Sequence, residues 1–562
     1  MKKYTNNSKL IVFTLLLTTV FTIGQIQGEI LLQSGQYIFH GDESDSLLGY
    51  AVSGVGDVNN DGFDDYVMSA PGHDYNGFIS NGAVYLFFGE EDKNMIDLNL
   101  IDADAVFFGE GDFDNAGTTL SKAGDVNGDG FDDFLIGAPF YSVDDIGKVY
   151  LIVGRSTAAW NKVNDLGSIS ISFYGDKNDD RLSGPTYENL NVLSDIGDID
   201  DDGFDDIAFG SILHDINSSF SNHGKLYVYY GSDSISGNIN VTTADLILYG
   251  ANAYDLLGSV AGLGDINGDN IDDYSVGGYG YDVGEGNDVT GAVYIMYGSS
   301  DRLIGSHNVS DSGYGAIIYG EILNSYFGQG IFPIGDHNGD GLSDFAISAP
   351  NYESNTGCLY VFYGKEYSGL INATDADKRF YGEDGANDLF GVKAAGITDI
   401  NGDGMNELAI SEYAFDGSVN NQGRLYIYNG GEETGAFYPS NADMVIGWNS
   451  PTTKNLGYSL ANAGDVNGDG MDDLITGAYA SYNSTHSQLG AVMLLTKIFD
   501  NQKFTETEIN IETITETGTK TLTVERTLTE ENESFLPISY ASIITGLLLG
   551  VAVFRANTRR KS

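Results

Sequence analysis

Seven times the chain repeats a nine-residue segment whose oxygen-bearing side chains fall at positions 1, 3, 5 and 9: DVNNDGFDD, DVNGDGFDD, DIDDDGFDD, DINGDNIDD, DHNGDGLSD, DINGDGMNE and DVNGDGMDD. The candidate ligands are Asp57, Asn59, Asp61 and Asp65 in the first segment and Asp125, Asn127, Asp129 and Asp133 in the second. Asp198, Asp200, Asp202 and Asp206 follow in the third, and Asp265, Asn267, Asp269 and Asp273 in the fourth. Asp336, Asn338, Asp340 and Asp344 supply the fifth, Asp399, Asn401, Asp403 and Glu407 the sixth, and Asp465, Asn467, Asp469 and Asp473 the seventh. This spacing draws hard oxygen donors to one side of a tight loop, where the backbone carbonyl of position 7 adds another. That is the chemistry of Ca2+, which takes six to eight oxygens in flexible geometry, rather than of Mg2+, which keeps its waters. Position 6 must turn sharply, and is glycine except at Asn270, a residue type that tolerates the left-handed region. An acidic turn without metal is the bland alternative, opposed by the repulsion of three or four converging carboxylates. An EF-hand would need a glutamate at position 12 and flanking helices. The expectation is calcium, up to seven ions, as part of the fold.

The segments start 63 to 73 residues apart, a period that accommodates about four strands of 5 to 6 residues with their loops. Runs such as LLGYAVSGVGD before the nonapeptide read as a first strand, and DDYVMSAP or DDFLIGAP after it as a second. AVYLFFG, KVYLIVG and CLYVFYG read as third strands, and VFFG, LYG and FYG endings as fourth strands. This predicts an all-β fold, a seven-bladed β-propeller of four-stranded antiparallel blades over residues 29–497. The frame leaves a fourth-strand segment, QYIFHG (Gln36 to Gly41), unpartnered at the start and lacks one after VMLLT (Val492 to Thr496). Pairing the two would close the ring and remove its open edges.

First strands ending in Gly-Asp, the acidic nonapeptide, the Gly-Ala-Pro segment and the Val-Tyr strand resemble the FG-GAP repeats of integrin α-subunit propellers and of related bacterial and archaeal surface proteins. The resemblance covers most of the chain. It implies a propeller whose partners meet the face opposite the calcium loops, in the manner of an adhesion receptor. The chain departs from animal integrins in having no disulfide framework, no inserted metal-dependent adhesion domain and no long run of leg domains. On that opposite face the links between second and third strands carry Tyr75, Tyr141, Tyr279, Tyr281, Tyr352, Tyr413 and Tyr482. They suit contact with an extracellular protein or glycan or, alternatively, cap strand ends.

A formal net charge of −55 argues against nucleic acid as a partner, because phosphate neutralisation needs clustered Lys and Arg. A hydrophobic fraction of 41% places that acid on a folded body rather than a disordered one. Cys358, the single cysteine, rules out an intrachain disulfide and reads as a buried hydrophobe. Lys2, Lys3 and Lys9 precede an apolar run, the layout of a signal peptide over residues 1–28. Residues 535–554 are uncharged and long enough to span a bilayer, followed by the basic tail 555–562, which predicts a single-pass membrane helix with the propeller outside. A Thr/Glu-rich stalk over 498–534 would join the two. Asn217, Asn240, Asn308, Asn372, Asn483 and Asn532 stand in N-x-S/T sequons, as in a glycoprotein. The seven histidines share no local motif with Ser, Cys or one another, so no catalytic residue is assigned and no enzyme is expected; His337, at position 2 of its loop, is expected to point outward. The function expected is a calcium-binding cell-surface adhesion or recognition protein. The alternatives are a passive component of the cell envelope and a surface hydrolase.

Overall fold

A computed structural model describes residues 36–496 except 92–98, 179, 185–189, 216–221, 283–288, 384–386, 418–419, 449–451 and 483–486. The expected signal peptide, stalk, membrane helix and tail lie outside the described residues. Among those described, no helix is long and apolar enough to cross a membrane.

Each repeat folds as predicted into a sheet that runs outward from a common axis. In the first blade Val52–Gly56, Asp65–Ala70, Ala83–Phe87 and Ala105–Phe108 pair antiparallel in chain order. The alternation Tyr66, Met68, Ala70 against Val67, Ser69 places every second side chain toward one neighbouring blade and the rest toward the other, so all six residues of that strand are buried. Seven such sheets form. The first strand of each touches the first strands of both neighbours, and Val52–Gly56 touches Ser459–Gly464, so the ring is closed. These seven strands line one central cavity of about 690 Å³.

Closure follows the predicted frame. Gln36–His40 pairs antiparallel with Ala491–Leu495, opposing Gln36 to Leu495 and His40 to Ala491, and so becomes the outer strand of the seventh blade. Phe39, 1% exposed, seats this strand against Tyr66 and Phe87 of the first blade, at ring-centroid distances of 6.4 and 5.0 Å.

The four-stranded expectation needs correction in five blades, which carry a fifth strand. Val163–Asp165, Gly237–Asn240, Gly305–Asn308, Gly369–Asn372 and Gly435–Phe437 each leave the link between third and fourth strands of one blade. Each pairs in parallel with the outer strand of the blade before it. Among the described residues the sixth blade has no fifth strand, since the seventh takes its outer strand from the N-terminal side of the chain and has no such link to lend. Polar segments such as GNIN, exposed or half-buried along their length, show no apolar alternation and hence no strand signal before folding.

Candidate metal centres

Every nonapeptide joins a first strand to a second, and its ninth residue is the first residue of the second strand in all seven blades. The loop is built on its leading carboxylate. In the first, Asp57 Oδ1 accepts the N–H of Asp61 at 3.0 Å and Oδ2 that of Gly62 at 2.7 Å, while Asp61 Oδ1 accepts the N–H of Phe63 at 3.2 Å. The same three bonds recur in the other six loops. Position 9 receives the N–H of position 2 in six loops, at 3.0 Å for Asp65 and Val58. The turn needs a left-handed residue at position 6, where Asn270 sits at φ +66° as expected. It needs another at position 4, where Asn60 and Asp201 take φ of 56° and 59°, a requirement the sequence reading missed.

The ninth carboxylates are sealed: Asp65, Asp133, Asp206, Asp273, Asp344 and Glu407 are 0% exposed and Asp473 1%. Burial, with two other acids of the same loop adding to it (positions 1 and 5, but Asp200 and Asp198 for Asp206), pushes Asp65 up to about 9, Asp206 and Asp473 to about 8, and Asp133, Asp273, Asp344 and Glu407 to about 7. Oxygens of Asp198, Asp200 and Asp206, and of Asp399, Asp403 and Glu407, converge to within 4.8 Å of one another. The longer Glu407 therefore still reaches its neighbours, through bonds to Ile400 N–H and the Asn401 amide. Asn59 is 4% exposed and neither polar atom of its side chain has a protein partner. Converging carboxylates, together with a buried Asn59 oxygen that no protein donor satisfies, fit a divalent cation of calcium's kind.

Position 8, to which the sequence reading gave no role, ties six of the seven loops to the one before through its side chain. Asp132 Oδ2 accepts the N–H of Asp57 at 2.9 Å, Asp205 that of Asp125 at 2.7 Å and Asp272 that of Asp198 at 3.1 Å. Asn406 reverses the sense, donating its amide to the Ile334 carbonyl at 3.3 Å. Position 2 is the other omission. Val58, Val126, Ile266 and Val466 are 0% exposed there, and so is His337, contrary to the expectation that it points outward. His337 Nδ1–H donates to the Asn406 carbonyl at 2.7 Å and Nε2 accepts from Lys378 at 2.9 Å, which fixes the neutral tautomer; burial pushes it down to about 3 and Lys378 to about 8.

On the opposite face five of the seven tyrosines are capping residues. Tyr279 is buried, and Tyr141, Tyr281, Tyr352 and Tyr413 are half-buried against neighbours such as Tyr381 and Tyr458. Tyr75 and Tyr482 are exposed, at 38% and 39%. Tyr75 stacks on Phe108 at 3.6 Å beside exposed Phe78, Ile79 and Phe113. The Phe113 N–H donates to the Ile79 carbonyl at 2.7 Å, so two adjacent loops hold this patch together. Histidine does meet partners through space: His214, 1% exposed, lies 2.7 Å from Asp180 and 4.0 Å from Asp176, with Lys177 3.3 Å from its other nitrogen. Both ring nitrogens are thus already engaged. Asn240, Asn308 and Asn372 each cap a short 3-10 turn through the N–H two residues on, so the S/T of these sequons belongs to a repeated turn.

Seven radial sheets with an acidic loop at the same end of each define a repeat-built β-propeller. The FG-GAP repeat profile matches residues 116–152, 390–428 and 456–495, in each case a span ending with the third strand of a blade. The chain is 30% identical over 191 residues to Integrin alpha-IIb of Mus musculus, covering 32% of this chain and 17% of that protein. It is 30% identical over 223 residues to Integrin alpha-PS5 of Drosophila melanogaster, covering 37% and 19%. The aligned region is thus less than a fifth of either relative. A solved structure of the Dos1 propeller is matched with a TM-score of 0.40 at 10% identity, over 82% of this chain and 94% of that one. The chain is an integrin-α-like FG-GAP propeller.

Proposed function

We propose that the protein is a calcium-binding adhesion or recognition protein of the cell surface, holding up to seven Ca2+ ions and presenting its opposite loop face to an extracellular protein or glycan. The observation that carries the calcium reading is the ninth carboxylate: buried in all seven loops, it faces other acids of its own loop, an arrangement that a divalent cation relieves. Positions 1, 3, 5 and 9 of each loop would hold the ion, which supplies charge neutralisation and a staple between first and second strands. No catalytic step forms part of this reading.

The partner face is supported by the patch of Tyr75, Phe78, Ile79 and Phe113, with Asp74 and Asp112 in the same loops, a mixture of rigid aromatic and polar groups that suits recognition. A leader over 1–28, a stalk over 498–534 and a span over 535–554 complete the proposal of an externally displayed propeller, with glycans on the sequons outside the repeated turns. Metal analysis and thermal unfolding of the full chain test the calcium reading: several equivalents of calcium and a lower melting temperature in chelator are expected. Melting unchanged after verified removal of calcium contradicts it. A binding screen against extracellular proteins and glycans, repeated with Phe78→Ser and Phe113→Ser, tests the partner face.

A further inference from the structure

The third loop differs from the other six in two linked ways. It alone carries an acid at position 3, Asp200, where the others carry Asn, so four carboxylates gather there instead of three. It alone among the described residues also receives a cation from the protein itself. Arg302 reaches across from the fourth blade, from the link between strand Ala292–Met296 and strand Gly305–Asn308, to pair its Nε with Asp200 and its Nη2 with Asp202. The guanidinium lies 4.7 Å over the Tyr230 ring, a third contact that fixes its position.

The oxygens it takes are ones a metal would need. Asp202 Oδ1 is committed to the Phe204 N–H at 3.1 Å, as position 5 is in every loop, and Arg302 takes the remaining Oδ2. Among the described residues, no Lys, Arg or His is paired with the position-5 acid of any other loop. A guanidinium and a dication sharing Asp200 and Asp202 would stand a few ångströms apart, and like charges at that range repel by far more than an exposed ion pair contributes.

We propose that Arg302 is a built-in competitor for calcium at the third loop, which consequently fills last and releases the arginine when it fills. This rests on the calcium reading of the loops. At low calcium the arginine latches the fourth blade onto the third loop; at high calcium the latch is replaced by the ion, and a cationic side chain is freed at the acidic end of the propeller.

Calcium titration of the chelator-stripped full chain by calorimetry, with Arg302→Gln and Arg302→Lys alongside, tests it. The native chain should show one site about five- to tenfold weaker than the rest, and Arg302→Gln should bring that site into the tight class. Arg302→Gln should also melt lower than the native chain in chelator and equally in saturating calcium, with Arg302→Lys between the two. Identical titrations of native and Arg302→Gln chains would overturn the proposal while leaving calcium binding intact. So would loss or weakening of a site in Arg302→Gln, which would make Arg302 a helper that offsets the fourth carboxylate. No calcium uptake by either chain would overturn the calcium reading and this inference together.

Discussion

Asp64 accepts the backbone N–H of Asp465 at 2.8 Å, although 401 positions separate the two residues. The bond is the counterpart of those from Asp57 to Asp132 and from Asp125 to Asp205, so the seam where the ring closes is fastened at its acidic end like an ordinary blade boundary. Replacing Asp64 with Ala should cost about 0.5–1.5 kcal/mol in urea unfolding, because a half-buried N–H loses its acceptor. Asp64→Asn keeps an oxygen there and should retain most of that stability. Equal losses in the two variants would contradict the acceptor role.

The outer strand of the seventh blade should belong to the same cooperative unit as the rest. Phe39→Ala removes a buried ring between Tyr66 and Phe87 and should cost about 3–5 kcal/mol without splitting the thermal transition. Deleting residues 29–41 should expose the edge of Ala491–Leu495 and promote aggregation. A Phe39→Ala protein melting at the native temperature would show that this strand is an accessory.

Loss of a single calcium loop should be local. Asp129→Ala removes one carboxylate from the second loop but leaves both Asp125 bonds to Asp129 N–H and Gly130 N–H in place. Metal analysis should show one equivalent fewer, and the melting temperature should fall by only a few degrees. Loss of several equivalents would mean that the loops fill cooperatively.

Lys393 stands in the central cavity, 9% exposed, with its Nζ 2.5 Å from Asn191 Oδ1, and burial pushes it down from 10.5 to about 7. Between those two values the unfolded chain binds the proton that the folded chain has lost, so this group makes stability rise with pH across that window. Below about pH 7 the buried amine is charged in both states and the native state bears the full cost of burying it. Lys393→Met should flatten the rise and stabilise the protein at pH 6 by about 1–3 kcal/mol, less the lost bond to Asn191. Urea unfolding at pH 6 and pH 9.5 checks both signs, and a Lys393→Met protein less stable at pH 6 than the native one would refute the argument.

The caps at Asn240, Asn308 and Asn372 can be separated from any glycan they carry. Asn308→Asp destroys the sequon yet keeps an acceptor for the Ser310 N–H, now bonded at 2.9 Å, and should leave stability within about 0.5 kcal/mol. Asn308→Ala should cost about 1 kcal/mol in a host that adds no sugar. Equal stability of the two variants would remove the capping role.

What was legible in the sequence is what repeats with a strong local signal. The acidic nonapeptide fixed the seven-fold count, the Val-Tyr strands fixed the frame, and the surplus QYIFHG gave the closing pair. The features that escaped it depend on neighbours that are remote in the chain. Position 8 looks like one more acid until the blade before it supplies Asp57 N–H, and position 2 looks like loop until the strands bury His337. The tyrosines were grouped by their link, whereas their exposure depends on the adjacent blade, which covers Tyr279 and leaves Tyr75 open. Arg302 and Asp200 lie about a hundred positions apart, and no pattern connects them before folding.

The register of the seventh blade also bears on mechanics. Leu495 sits opposite Gln36 on one side and Leu474 on the other, one residue beyond the loop carboxylate Asp473, so the chain enters and leaves the propeller at the same end of one sheet. A tug on the segment after Leu495 runs along the strand axis and loads its flanking backbone bonds side by side, as in shear, instead of unzipping them in turn. The sheet that completes the ring is thereby also its best-placed anchor against tension.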